Sequence, residues 1–82
     1  MFDRKKLKEI YELGKKYNAT HLIIYTDTFE YIDLFKYVDK HENVDTVLTK
    51  IKSHGSAYRI DNIFSYDKDI DEQLPKKKTY HL

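Results

Sequence analysis

Apolar residues run without a break from Leu22 to Tyr25 inside THLIIYTDT, residues 20–28. A strand whose two faces are both apolar belongs in the middle of a sheet, covered on each side. Helical periodicity precedes it. Leu7, Ile10, Tyr11, Gly14 and Tyr17 recur on one helical face, with Leu13 at its margin, while Lys5, Lys6, Lys8, Lys15 and Lys16 take the other side. The spacing predicts a helix from Arg4 to Tyr17, with Asp3 as its N-cap. Gly14 costs such a helix about 1 kcal/mol relative to Ala, so its expected use is a close approach of helix to sheet. Asn18 stands where a helix ends in the left-handed conformation.

Beyond Asp27 the pattern is weaker. Phe29 and Tyr31 alternate with Thr28 and Glu30, and Leu34, Phe35, Tyr37 and Val38 form a second apolar cluster. The segment predicts a short excursion and then a strand over Phe35 to Val38. No Asn-Gly or Asp-Gly pair is present, which argues against a two-residue hairpin. Val44, Val47, Leu48 and Ile51 fit the i, i+3, i+4, i+7 pattern, with Asn43 as N-cap and His54–Gly55 as the stop. In AYRIDNIFSY, strict alternation puts Tyr58, Ile60, Asn62, Phe64 and Tyr66 on one face and Arg59, Asp61, Ile63 and Ser65 on the other. One helical turn fits residues 67–74, and Pro75 ends it. The expected fold is α+β: a single small domain in α-β-β-α-β order over residues 1–74, helices packed on a three-stranded sheet. A basic flexible tail over residues 75–82 completes it.

Composition narrows the function classes. Eight Tyr and four Phe among 82 residues supply core area to a small domain. The absence of Cys excludes disulfides, thiolate metal sites and a Cys nucleophile. The N-terminal residues lack a signal-peptide core and no run reaches membrane-spanning length, so the expected location is the cytoplasm of a host cell, with no membrane association. Net charge is +1, yet it is blocked: residues 1–16 carry +3, 27–45 carry −4, 46–60 carry +3, 61–72 carry −4, and the tail +3. Such alternation is ordinary solvated surface in most chains, or else it leaves distinct acidic and basic faces.

Candidate chemistry is sparse. The histidines at 21, 41, 54 and 81 show no metal-ligand spacing. Asp67, Asp69 and Asp71 begin like a calcium loop, but Glu72 holds the glycine position and Lys78 the bidentate-glutamate position. Two glycines cannot build a phosphate-cradling loop. Asp27, Glu30 and Asp33 could act together with Mg²⁺ as a hydrolase, though no nucleophile or orienting partner accompanies them. Nucleic-acid binding is not favoured, because the domain is not net basic and carries no known motif. No enzymatic role, no cofactor and no metal are therefore expected. The contact surface is placed on Asp27, Glu30, Tyr31, Asp33 and Tyr37, an acidic–aromatic segment with more side chains than a small core requires.

ELGKKY (residues 12–17), ATHL (19–22) and the following Asp27, Thr28, Phe29, Tyr31 and Asp33 resemble a group of small uncharacterised proteins carried by phages and mobile elements of Gram-positive bacteria. The resemblance covers roughly residues 9–38. The chain departs from that pattern at Asn18, where Gly is usual, and at LFKYV, where YPVYV is usual. The resemblance implies genomic context and no chemistry. Small phage proteins of this kind often bind a host protein, including defence components such as CRISPR effectors. The expectation is a non-enzymatic phage-encoded binding protein that inhibits or modulates a host protein, in its most specific form an anti-CRISPR or other anti-defence inhibitor. The alternative is a small-molecule or nucleotide-sequestering binder, and self-association is open in either case.

Overall fold

The run at Leu22–Tyr25 lies at the centre of a three-stranded antiparallel sheet. The structure, a computed structural model, describes residues 2–53 and 57–74. Its elements are α1 (Arg4–Lys16), β1 (Ala19–Asp27), β2 (Ile32–Asp39), α2 (Val44–Ser53), β3 (Tyr58–Ser65) and the one-turn α3 (Ile70–Gln73). Strand order is β2-β1-β3, so the first strand is the middle one and both neighbours run against it. The α+β class and the α-β-β-α-β order hold, with α3 as the single turn at the end. The stop at His54–Gly55 and the tail at 75–82 fall outside the described residues.

Helix boundaries follow from local chemistry. The Asp3 carboxylate accepts the Lys6 amide at 2.7 Å and caps α1. Asn43 does the same for α2, accepting from Asp45 and Thr46. Asn18 closes α1 with φ of +57°, and its amide bonds the Lys15 carbonyl.

Two cores lie back to back across the sheet. On one side Leu7, Ile10 and Tyr11 of α1 pack on Leu22, Ile24 and Phe64, closed below by Ile70 and Leu74. On the other, Val47 and Ile51 of α2 pack on Ile23 and Val38. Val44 and Leu48 flank that second core and are half-buried, so the α2 stripe faces the sheet with its centre on Val47 and Ile51. Asp45, Thr49, Lys50 and Lys52 are exposed. Tyr17, expected on the buried stripe of α1, is 66% exposed, because the helix has already ended at Lys16.

The largest departure from strict alternation is in β3. Ile24 pairs with Asn62 but Tyr25 pairs with Ile60, which leaves Asp61 as an unpaired bulge residue. The extra residue inverts the pleat. Tyr58 and Ile60 therefore join the α2 core, while Phe64 and Tyr66 belong to the α1 core. The five residues that alternation placed on one face are divided between two.

Gly14 makes a close approach, to side chains and not to strand backbone. A Cβ there would fall on the Tyr66 hydroxyl and within 2.8 Å of the Tyr37 ring. Those two phenols flank the glycine and donate to the carbonyls of the preceding turn, Tyr37 to Ile10 at 2.6 Å and Tyr66 to Tyr11 at 2.9 Å. Tyr66 also stacks on Tyr11 with centroids 4.2 Å apart. Burial first, and the neighbouring Tyr37 and Tyr11 next, push the Tyr66 phenol well above the ordinary tyrosine range. Gln73 fixes α3 to the end of β3, accepting the Ser65 amide at 2.6 Å and donating to the Ser65 carbonyl at 2.7 Å.

Candidate functional site

Strands β1 and β2 are joined by the four residues Thr28–Tyr31, so the connection is longer than a two-residue hairpin. β2 starts three residues earlier than the apolar cluster suggests, because Ile32, Asp33 and Leu34 pair with Asp27, Thr26 and Tyr25. The loop is braced from beneath. The Asp27 carboxylate accepts the amides of Phe29 at 2.9 Å and Glu30 at 3.2 Å, an Asx turn that orders the chain at the tip. Thr28 bonds the Ala57 carbonyl twice, through its amide at 2.7 Å and its hydroxyl at 2.6 Å, and so ties the tip to the start of β3.

On this support two aromatic rings project outward. Phe29 is 81% exposed and Tyr31 85%, with Ile32 beside them at 46%. Tyr31 holds φ at +56°, a left-handed conformation that bulky side chains rarely adopt. Strain of about 1–3 kcal/mol at a non-glycine residue persists only where the surroundings enforce it. Here the Asx turn and the first ladder pair, Asp27 with Ile32, enforce it from both sides.

The five residues singled out from the sequence do not form one cluster. Asp27, Glu30 and Tyr31 lie at the tip, with the Asp27 carboxylate engaged by the turn amides. Asp33 pairs with Thr26 and lies on the α1 face of the sheet, with a carboxylate oxygen 3.3 Å from the Thr26 hydroxyl oxygen. Asp27 pairs with Ile32 and takes the opposite face, so these two carboxylates do not converge as a two-acid site would require. Tyr37 stands farther along β2 opposite Leu22, half-buried, its hydroxyl held by α1. Phe29 and Ile32 were not singled out, although both are exposed at the tip. The signal for Phe29 was its place between two strands, where an aromatic residue has no core to enter.

Below the tip, the buried Thr26 hydroxyl donates to Asp61 at 2.5 Å, and Arg59 bonds the same carboxylate at 2.9 Å. The bulge residue thus ties the end of β1 to β3. Among the described residues, no group of three or more His, Cys, Asp or Glu is placed to hold a metal ion. No described helix is long and apolar enough to cross a membrane. Comparison with protein-family models, curated proteins and solved structures returns no match.

Proposed function

We propose that the chain is a non-enzymatic, phage-encoded binding protein that presents the β1–β2 tip to a host protein and inhibits or modulates it. The observation that carries this reading is the near-complete exposure of Phe29 and Tyr31 on a backbone-braced loop. Aromatic side chains are the commonest interface anchors, and a rigid tip loses little entropy when it docks. The net charge of −4 over residues 27–45 suits a partner whose apolar pocket is rimmed by Lys or Arg. The resemblance of roughly residues 9–38 to phage and mobile-element proteins supports a host target, in its most specific form a defence component such as a CRISPR effector.

A photo-crosslinking residue in place of Phe29 identifies the partner, and binding is then measured with the purified pair. Phe29→Ala and Tyr31→Ala are each expected to weaken it at least tenfold, about 1.4 kcal/mol or more. Tyr31→Gly separates binding from folding. It relieves the left-handed strain and stabilises the fold by up to about 1 kcal/mol, yet weakens the complex. Crosslinks to nucleic acid alone, or binding indifferent to both aromatic truncations, would overturn the proposal.

A further inference from the structure

The tyrosines of the two cores differ in one respect. On the α1 side, Tyr11, Tyr37 and Tyr66 each donate their hydroxyl to a backbone carbonyl. On the α2 side, Tyr25 and Tyr58 are half-buried and pack edge-to-face at 5.5 Å, but among the described residues neither hydroxyl has a hydrogen-bond partner. A phenol that enters a core usually finds such a partner. Both rings line a cavity of about 280 Å³ between α2 and the sheet, over the buried side chains of Val47 and Ile51.

Two ammonium groups share that cavity. Lys36 projects from β2 and Lys50 from α2, and neither forms an ion pair among the described residues. Lys6, Lys8 and Lys15 of α1, by contrast, each pair with a carboxylate. Burial, with Tyr58 beside it, raises the Tyr25 phenol above its ordinary value, so it remains an O–H donor well into alkaline pH. Glu42 also lines the cleft and supplies an acceptor, its carboxylate already holding the Asp39 amide at 3.1 Å.

We propose that the cleft between α2 and the sheet binds a small aromatic anion, with the Tyr25 and Tyr58 hydroxyls and the Lys36 and Lys50 ammonium groups as donors. The apolar floor and the tyrosine rings take the flat face of the ligand. The four donors take its anionic group, and Glu42 takes an N–H or O–H on the ring. Ligand pockets have this composition, an apolar lining with a few convergent polar groups. The volume admits one or two fused rings with a single phosphate or carboxylate, and lies just below the range usual for such sites, about 300–1,000 Å³. The anion is the shared chemistry, whether it belongs to a nucleotide or to an aromatic acid. No residue of the hairpin tip lines the cleft.

Titration of the full chain, followed by NMR and calorimetry, uses adenosine monophosphate, 4-aminobenzoate and inorganic phosphate as probes. Saturable binding of either ring-bearing probe with Kd below about 1 mM is expected. Shifts should centre on Tyr25, Lys36, Val47, Lys50 and Tyr58. Binding of the nucleotide alone identifies phosphate as the anion, binding of 4-aminobenzoate alone identifies carboxylate, and both outcomes support the site. The double variant Lys36→Gln/Lys50→Gln should lower affinity at least tenfold, and Tyr25→Phe or Tyr58→Phe by roughly threefold to tenfold, with thermal unfolding unchanged. Phe29→Ala/Tyr31→Ala should leave this binding intact, which keeps its failure distinct from that of the docking tip. Absence of saturable binding by both ring-bearing probes up to about 10 mM would overturn the proposal. So would affinity unchanged in the lysine double variant, or inorganic phosphate binding as tightly as the ring-bearing probes.

Discussion

Tyrosine is the residue whose placement decides most in this protein, and Gly14 shows how. The glycine exists beside two phenols that reach over it to helix carbonyls, so its missing Cβ is filled by their oxygen and ring atoms. Gly14→Ala gains about 1 kcal/mol of helix propensity, but the methyl displaces two bonded hydroxyls. We expect a net loss of about 1–3 kcal/mol, the usual cost of overpacking. In a domain of this size that lowers Tm by roughly 4–8 °C per kcal/mol in a calorimetric melt. Tyr66→Phe added to Gly14→Ala should recover part of the loss, since it removes the nearer oxygen; additive losses would rule out the contact as the cause. The sequence showed that Gly14 needed a reason and left open which atoms supplied it. Tyr31 and Tyr37 have the same side chain, yet one is 85% exposed and the other is bonded to α1. Their amphipathic rings satisfy either environment, so periodicity cannot separate them.

Elements with a single strong period were the legible ones. α2 carries apolar residues at the spacing of one helical face, and that face lies on the sheet. β1 is apolar on both faces because both are covered, so its central position could be read directly. β3 was misread because its ten-residue segment alternates without a visible interruption, and a bulge adds a residue without changing the pattern's appearance. Deletion of Asp61 tests this. If the bulge carries the pleat inversion, the deletion joins Ile60 to Asn62 in the register they already occupy opposite Tyr25 and Ile24. The shortened chain should then fold cooperatively with Ile60 still against Val47 and Ile51, detectable as NOE contacts. Its cost should be about 1–3 kcal/mol, from the lost hydrogen bond between Thr26 and Asp61. Continuous alternation predicts the opposite, with Tyr58 and Ile60 on the wrong face and no stable fold.

At the scale of the whole molecule, both cores depend on protonated phenols. Burial is the first cause that raises Tyr11, Tyr25, Tyr37 and Tyr66 above the ordinary value of 10.0. In the unfolded chain these groups ionise near that ordinary value, while in the fold they hold their protons to higher pH. Below pH 10 their contribution to stability is complete. As pH rises from the unfolded value through the raised folded values, the unfolded chain binds fewer protons than the native one, and stability falls. Circular dichroism and tyrosinate absorbance recorded together above pH 10 should show phenolate from the core tyrosines appearing with loss of structure. Full tyrosine ionisation at unchanged circular dichroism would contradict this.

The strand order β2-β1-β3 also sets a sequence of events as the chain is made. β1 and β2 are neighbours in the chain and can pair as soon as both have left the ribosome. Residues 58–65 must follow before the second edge of β1 is filled, and Phe64, Ile70 and Leu74 before the α1 core is closed. A two-stranded hairpin is marginal on its own in water. A nascent chain that ends at Ser53 therefore has both helices and two strands but neither core complete, and its central strand offers an open edge to any other strand it meets. Folding here waits on the last strand, which fills the remaining edge of the first.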